Sequence, residues 1–82
     1  MFEFRVNAIN YKFENLKEEV NNGKLLLYAE WEAEDLLNEA IELSTLVKTH
    51  ESVDELGALI TQLKRYLYDI QGLIEKEYST TL

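Results

Sequence analysis

The chain has 82 residues, with sixteen acids against eight bases and a formal charge of −8. That length makes one domain with a small core. With no Cys and a single His, it has neither disulfides nor a zinc site to reinforce that core. An acidic balance excludes direct binding of DNA or RNA, whose affinity comes from neutralised phosphates. The longest apolar run, Leu25 to Ala29, falls far short of the roughly 20 residues that a membrane span requires.

The start, Met1-Phe2-Glu3-Phe4-Arg5, has neither the basic region nor the apolar region of a signal peptide. A Cys-free composition fits a reducing compartment. A cytoplasmic location is therefore expected.

In residues 2–13, Phe2, Phe4 and Val6 alternate with Glu3 and Arg5, and Ile9, Tyr11 and Phe13 alternate with Asn10 and Lys12. This is strand periodicity on both sides of Asn7-Ala8. Pairing Val6 with Ile9 sets Phe4 opposite Tyr11 and Phe2 opposite Phe13 on one face, with Glu3 opposite Lys12 on the other. The spacing predicts a β-hairpin, although the tight turn prefers glycine where Ala8 stands. Asn15 with Glu18 then reads as a capping box, and Asn22-Gly23 as a helix stop, enclosing a short helix.

Residues 24–33 fit two periods. Leu25, Leu27, Ala29, Trp31 and Ala33 alternate with Glu30 and Glu32, whereas Ala29 and Ala33 also begin a helical row. A strand over 24–32 would extend the hairpin to a sheet, which an isolated hairpin needs for stability, and that reading is preferred. From Ala33 the helical pattern is unambiguous: Ala33, Leu36, Ala40, Leu43 and Val47 step by three and four. After Thr49-His50-Glu51, Ser52 and Glu55 form a second capping box. Val53, Leu56, Ile60, Leu63, Leu67, Ile70 and Ile74 then repeat the stepping.

The expected fold class is α+β. An N-terminal β-hairpin, or a three-stranded antiparallel sheet with one short helix, packs on a long antiparallel two-helix hairpin. The single domain divides into a β-rich part at 2–32, a helical hairpin at 33–78 and a frayed tail at 79–82.

Charge placement is the main pointer to function. Glu30 through Glu55 contain nine acids and one base, Lys48, so the whole net charge of −8 falls in that segment. On a helix, Glu32, Asp35, Glu39 and Glu42 form one row with neighbours about 5–6 Å apart. This row resembles the spacing of phosphates along a nucleic-acid strand. The plainer reading is a solvated helix face, with Asp54 and Glu55 favoured by the dipole at a helix start. Against it stands the absence of any Lys or Arg from residues 25–47.

A second candidate surface is Leu59, Tyr66 and Leu73, recurring every seven residues beside the main seam. This flank either accepts the N-terminal sheet or forms a homo-oligomer seam or a partner groove. Tyr68 lies nearly opposite and is the better candidate for an exposed contact residue.

Catalytic and metal patterns are missing from the sequence. His50 has no companion ligand or base, and the hydroxyls of Ser44, Thr45, Ser52 and Ser79 have no base in a recognised motif. Gly23, Gly57 and Gly72 stand alone, and no calcium-loop spacing occurs. No enzyme activity, cofactor or metal is expected.

The function expected is that of a small acidic protein-binding module. It would inhibit or regulate a target by occupying its basic, nucleic-acid-binding surface through Glu32, Asp35, Glu39 and Glu42, assisted by Asp54 and Glu55. Phage proteins that block host defence or transcription are one setting for such a nucleic-acid mimic. The alternative is an assembly protein that self-associates through its helical hairpin. No membrane partner is expected.

Overall fold

In the N-terminal segment, Val6, Ile9, Phe13, Leu16 and Val20 step by three and four, which is a helical seam as well as part of a strand pattern. The computed structural model describes residues 2–46 and 50–79, with side chains given for all of these except Phe2, His50 to Ser52, Tyr78 and Ser79. In it the helical seam prevails: α1 runs from Phe2 to Asn21, α2 from Leu26 to Ser44 and α3 from His50 to Ser79.

The α+β expectation is therefore corrected to an all-α fold, a bundle of three helices with no strand among the described residues. The β-hairpin at 2–13 is a helix, and so is the strand expected at 24–32 from Leu26 onward. The helical hairpin is two-thirds of a three-helix bundle, not a separate layer under a sheet.

The reason lies in what each period would bury. The strand register buries Phe4 and Tyr11 and gives Leu16 and Val20 no role. The helix buries Val6, Ile9, Phe13 and Leu16, half-buries Val20 and leaves Phe4 and Tyr11 in solvent. It also avoids a tight turn at Asn7-Ala8, a position where no glycine supplies positive φ. Asn15, expected as a cap, sits inside α1 and is half-buried.

The stop at Asn22-Gly23 falls where expected. Gly23 has φ +102°. The Lys24 N–H donates to the Glu19 carbonyl at 3.0 Å and the Gly23 N–H to the Val20 carbonyl at 3.1 Å. These are the two hydrogen bonds of a Schellman cap. The side-chain contact that usually joins the ends of this motif is apolar, and here it is an ion pair: Lys24 Nζ lies 2.6 Å from Glu19 Oε2. The same ammonium reaches Glu32 Oε1 at 2.7 Å. One lysine thus ties the end of α1 to the second turn of α2.

Helix α2 is the central element and buries Ala29, Ala33, Leu36, Ala40 and Leu43. Its three alanines leave room for neighbours to come close, and α2 packs most extensively on α3. Val47, expected to close this row, lies outside the described residues.

Helix α3 contributes Leu56, Leu59, Leu63 and Ile70 to the same core, with Ile60, Leu67 and Ile74 partly buried beside them. Its apolar face is wider than the single seam expected, because α3 meets two helices. Val53 is half-exposed, while Leu59 is buried and Tyr66 meets Phe13 of α1 edge-on, with ring centroids 5.4 Å apart. The backbone of α3 is already helical at His50, two residues ahead of the expected cap. The Ser52 side chain and the tail from 80 to 82 lie outside the described residues.

The bundle measures 49 × 19 × 14 Å. No described helix is long and apolar enough to cross a membrane.

Candidate functional site

The phase of α2 is set by its alanine and leucine row, and it fixes what the opposite side presents. Leu27, Trp31, Asn38 and Ile41 fall about half a turn away from Ala29, Ala33, Leu36 and Ala40. Trp31 is 62% exposed and Tyr28 54% exposed, and Leu27 and Ile41 are partly exposed, at 46% and 41%. Tyr28 and Trp31 pack edge to face, with centroids 5.9 Å apart and planes at 77°. An exposed aromatic pair on a regular helix, with acids on both sides, is the most distinctive surface of the molecule.

The expected acidic row divides in two. Glu32 is held by Lys24, and Glu39 lies 3.9 Å from Lys12 of α1. Both line the groove between α1 and α2, together with Lys12, Asn15, Glu19 and Asp35. Neighbouring segments therefore supply counter-charge to two of the six acids of α2.

This corrects the reading of the row as a nucleic-acid mimic. Two of its four carboxylates, Glu32 and Glu39, are interleaved with lysines, so the row is no run of uncompensated charge at phosphate spacing. Asp35 and Glu42 are exposed with no cation within 4.0 Å among the described residues, as is Glu34 within the outward face, seven positions from both Leu27 and Ile41. Asp54 and Glu55 are exposed at the start of α3, away from the centre of α2.

The heptad Leu59, Tyr66, Leu73 does not form one surface. Leu59 is in the core, Tyr66 is half-buried against Phe13, and Leu73 alone is largely exposed. The flank receives α1, in the way that it was expected to receive an N-terminal sheet. Tyr68 is exposed, as expected, on the far side of α3.

Trp31 escaped the sequence reading because the strand period placed it on the same face as Ala29 and Ala33. The helical row that continues from Ala29 through Leu43 was the signal that would have turned it outward.

Electrostatically the site is open. No polar or charged side chain is buried among the described residues, and no group of three or more His, Asp or Glu there is arranged to hold a metal ion. The two perturbed groups lie away from Trp31. Hydrogen bonds to Glu19 and then to Glu32 raise the Lys24 ammonium above its ordinary value, and burial raises the Tyr66 phenol. Such a surface offers contact area and charge, without a reaction chamber. Comparisons of the chain with known protein families, with characterised proteins and with solved structures find no match.

Proposed function

We propose that the chain is a protein-binding module that engages its partner through the outward face of α2. Trp31 and Tyr28 form the apolar anchor, and Glu34, Asp35 and Glu42 guide a basic partner surface onto it. The observation that carries this reading is the exposed Tyr28–Trp31 pair. Large aromatics left in water give up favourable burial, and they are the residues that most often dominate binding at interfaces. Acids with no basic neighbour add long-range attraction for a positively charged partner and repel an acidic one.

The role is one of binding, with α1 and α3 acting as the scaffold that holds α2 straight and in phase. The test is photo-crosslinking in cells that express the chain, with benzoylphenylalanine placed at position 31 or, as a control, at the still more exposed position 68. Protein adducts from position 31 and none from position 68 are the expected result. Adducts from 68 alone, equal adducts from both, or none from 31 overturn the reading.

A further inference from the structure

The α1–α2 turn holds the chain's most labile asparagine. Of the six asparagines, only Asn22 precedes a glycine. Asparagine is thermolabile because the next backbone nitrogen can attack its side-chain amide, and a glycine at that place has no Cβ to hinder the approach. Asn22 and Gly23 are both exposed. No heavy atom beyond the chain neighbours of Gly23 lies within 4 Å of where its Cβ would stand. Water and hydroxide reach the linkage freely.

The fold works against the reaction. The Asn22 N–H donates to the carbonyls of Glu18 and Glu19 at 3.0 and 3.1 Å, so Asn22 continues the last turn of α1. The attacking group, the Gly23 N–H, is itself committed to the Val20 carbonyl at 3.1 Å. Lys24 closes the turn, with its N–H on the Glu19 carbonyl and its ammonium on the carboxylates of Glu19 and Glu32. The Gly23 nitrogen turns toward the Asn22 side chain only when these bonds open.

We propose that Asn22 is a site of spontaneous deamidation, gated by local opening of the α1–α2 turn. In the open turn, base removes the Gly23 amide proton and the nitrogen bonds to Asn22 Cγ. The Cγ–Nδ2 bond breaks, ammonia leaves and a cyclic imide remains. Water then opens the ring at either carbonyl, so that Asn22 becomes aspartate or isoaspartate, and no oxidant or enzyme is consumed. Both products add a carboxylate beside Glu18 and Glu19, at the negative end of the helix dipole. Isoaspartate also lengthens the main chain inside the turn, which displaces the Gly23 and Lys24 N–H groups from their present carbonyls.

Trypsin cuts after Lys17 and Lys24 and so releases residues 18–24 as one peptide. Mass spectrometry of that peptide, with fragmentation to separate Asn21 from Asn22, follows conversion at mildly alkaline pH. Conversion is confined to Asn22 and is at least about tenfold slower in the folded chain than in the urea-unfolded one. Well below the unfolding midpoint its rate is indifferent to urea, because opening one turn exposes little surface.

The double variant Glu19→Gln/Glu32→Gln removes both carboxylates from Lys24 and keeps the cleavage site. It speeds conversion in the folded chain by at least about twofold and leaves the unfolded rate unchanged. Glu14→Gln/Glu42→Gln changes the net charge equally without touching the turn and does not speed conversion. Equal rates in the folded and unfolded chains, or earlier conversion at another asparagine, overturn the proposal. So does a rate that climbs with the first additions of urea, or an equal effect of the two double variants.

Discussion

Lys24 shows how a single residue can do the work of a longer connection. The α1–α2 turn is only a few residues long, and its glycine at φ +102° reverses the chain. Lys24 then holds Glu19 behind it and Glu32 ahead of it, so the direction of α2 leaving the turn is fixed by charge as well as by backbone. The hydrogen bond to Glu19, and next that to Glu32, raise the Lys24 ammonium above its ordinary 10.5. Burial raises the Tyr66 phenol above its ordinary 10.0. Both groups hold their proton more tightly in the folded chain than in the unfolded one. Their contribution is therefore complete below the unfolded values and is lost as pH climbs through the folded ones. Urea denaturation followed from about pH 9 to about pH 12 is expected to show stability falling above pH 10. The double variant Lys24→Met/Tyr66→Phe has a shallower fall. A slope unchanged in that variant means that the alkaline loss originates elsewhere.

Among the elements, α1 separates most sharply what the sequence discloses from what it hides. The stop at Asn22-Gly23, the α2 row from Ala33 to Leu43 and the α3 seam were legible, because each has a single period or a specific turn chemistry. Residues 2–20 carry two periods at once. Val6, Ile9 and Phe13 satisfy both, so only Phe4, Tyr11, Leu16 and Val20 discriminate between them. The decision is tertiary: Phe13 finds Tyr66, and Leu16 finds the shared core. The same ambiguity at 24–33 concealed Trp31, since a strand puts it beside Ala29 and a helix puts it opposite. The four discriminating residues also give the test. Leu16→Ala empties a fully buried position and is expected to cost about 2–5 kcal/mol. Phe4→Ala, at a side chain 76% exposed, changes stability by less than about 0.5 kcal/mol. Denaturant midpoints of the two variants measure this directly, and a large loss at Phe4 with little at Leu16 would restore the hairpin.

At the scale of the molecule, attraction and repulsion between surface charges compete, and their balance has a sign that can be measured. Lys12, Lys17 and Lys24 make ion pairs within 4.0 Å, and exposed pairs of this kind contribute at most about 1 kcal/mol each. Opposed to them is a net charge of −8 on an 82-residue chain, six of whose acids lie on the central helix. Those acids have neighbours about 5–6 Å apart, well inside the screening length of about 8–10 Å at ordinary ionic strength. Repulsion is therefore the larger sum, and added salt relieves it. The melting temperature is expected to rise between about 0.01 M and about 0.3 M NaCl. Glu34→Lys/Asp35→Lys raises the low-salt melting temperature and flattens that dependence. A melting temperature that falls with salt would mean that the pairs made by Lys12 and Lys24 outweigh the crowding of α2. The same two substitutions weaken binding of a basic partner surface, so one variant is predicted to be more stable alone and poorer at binding. That opposition is the mark of a surface whose charge serves a partner at the expense of the free fold.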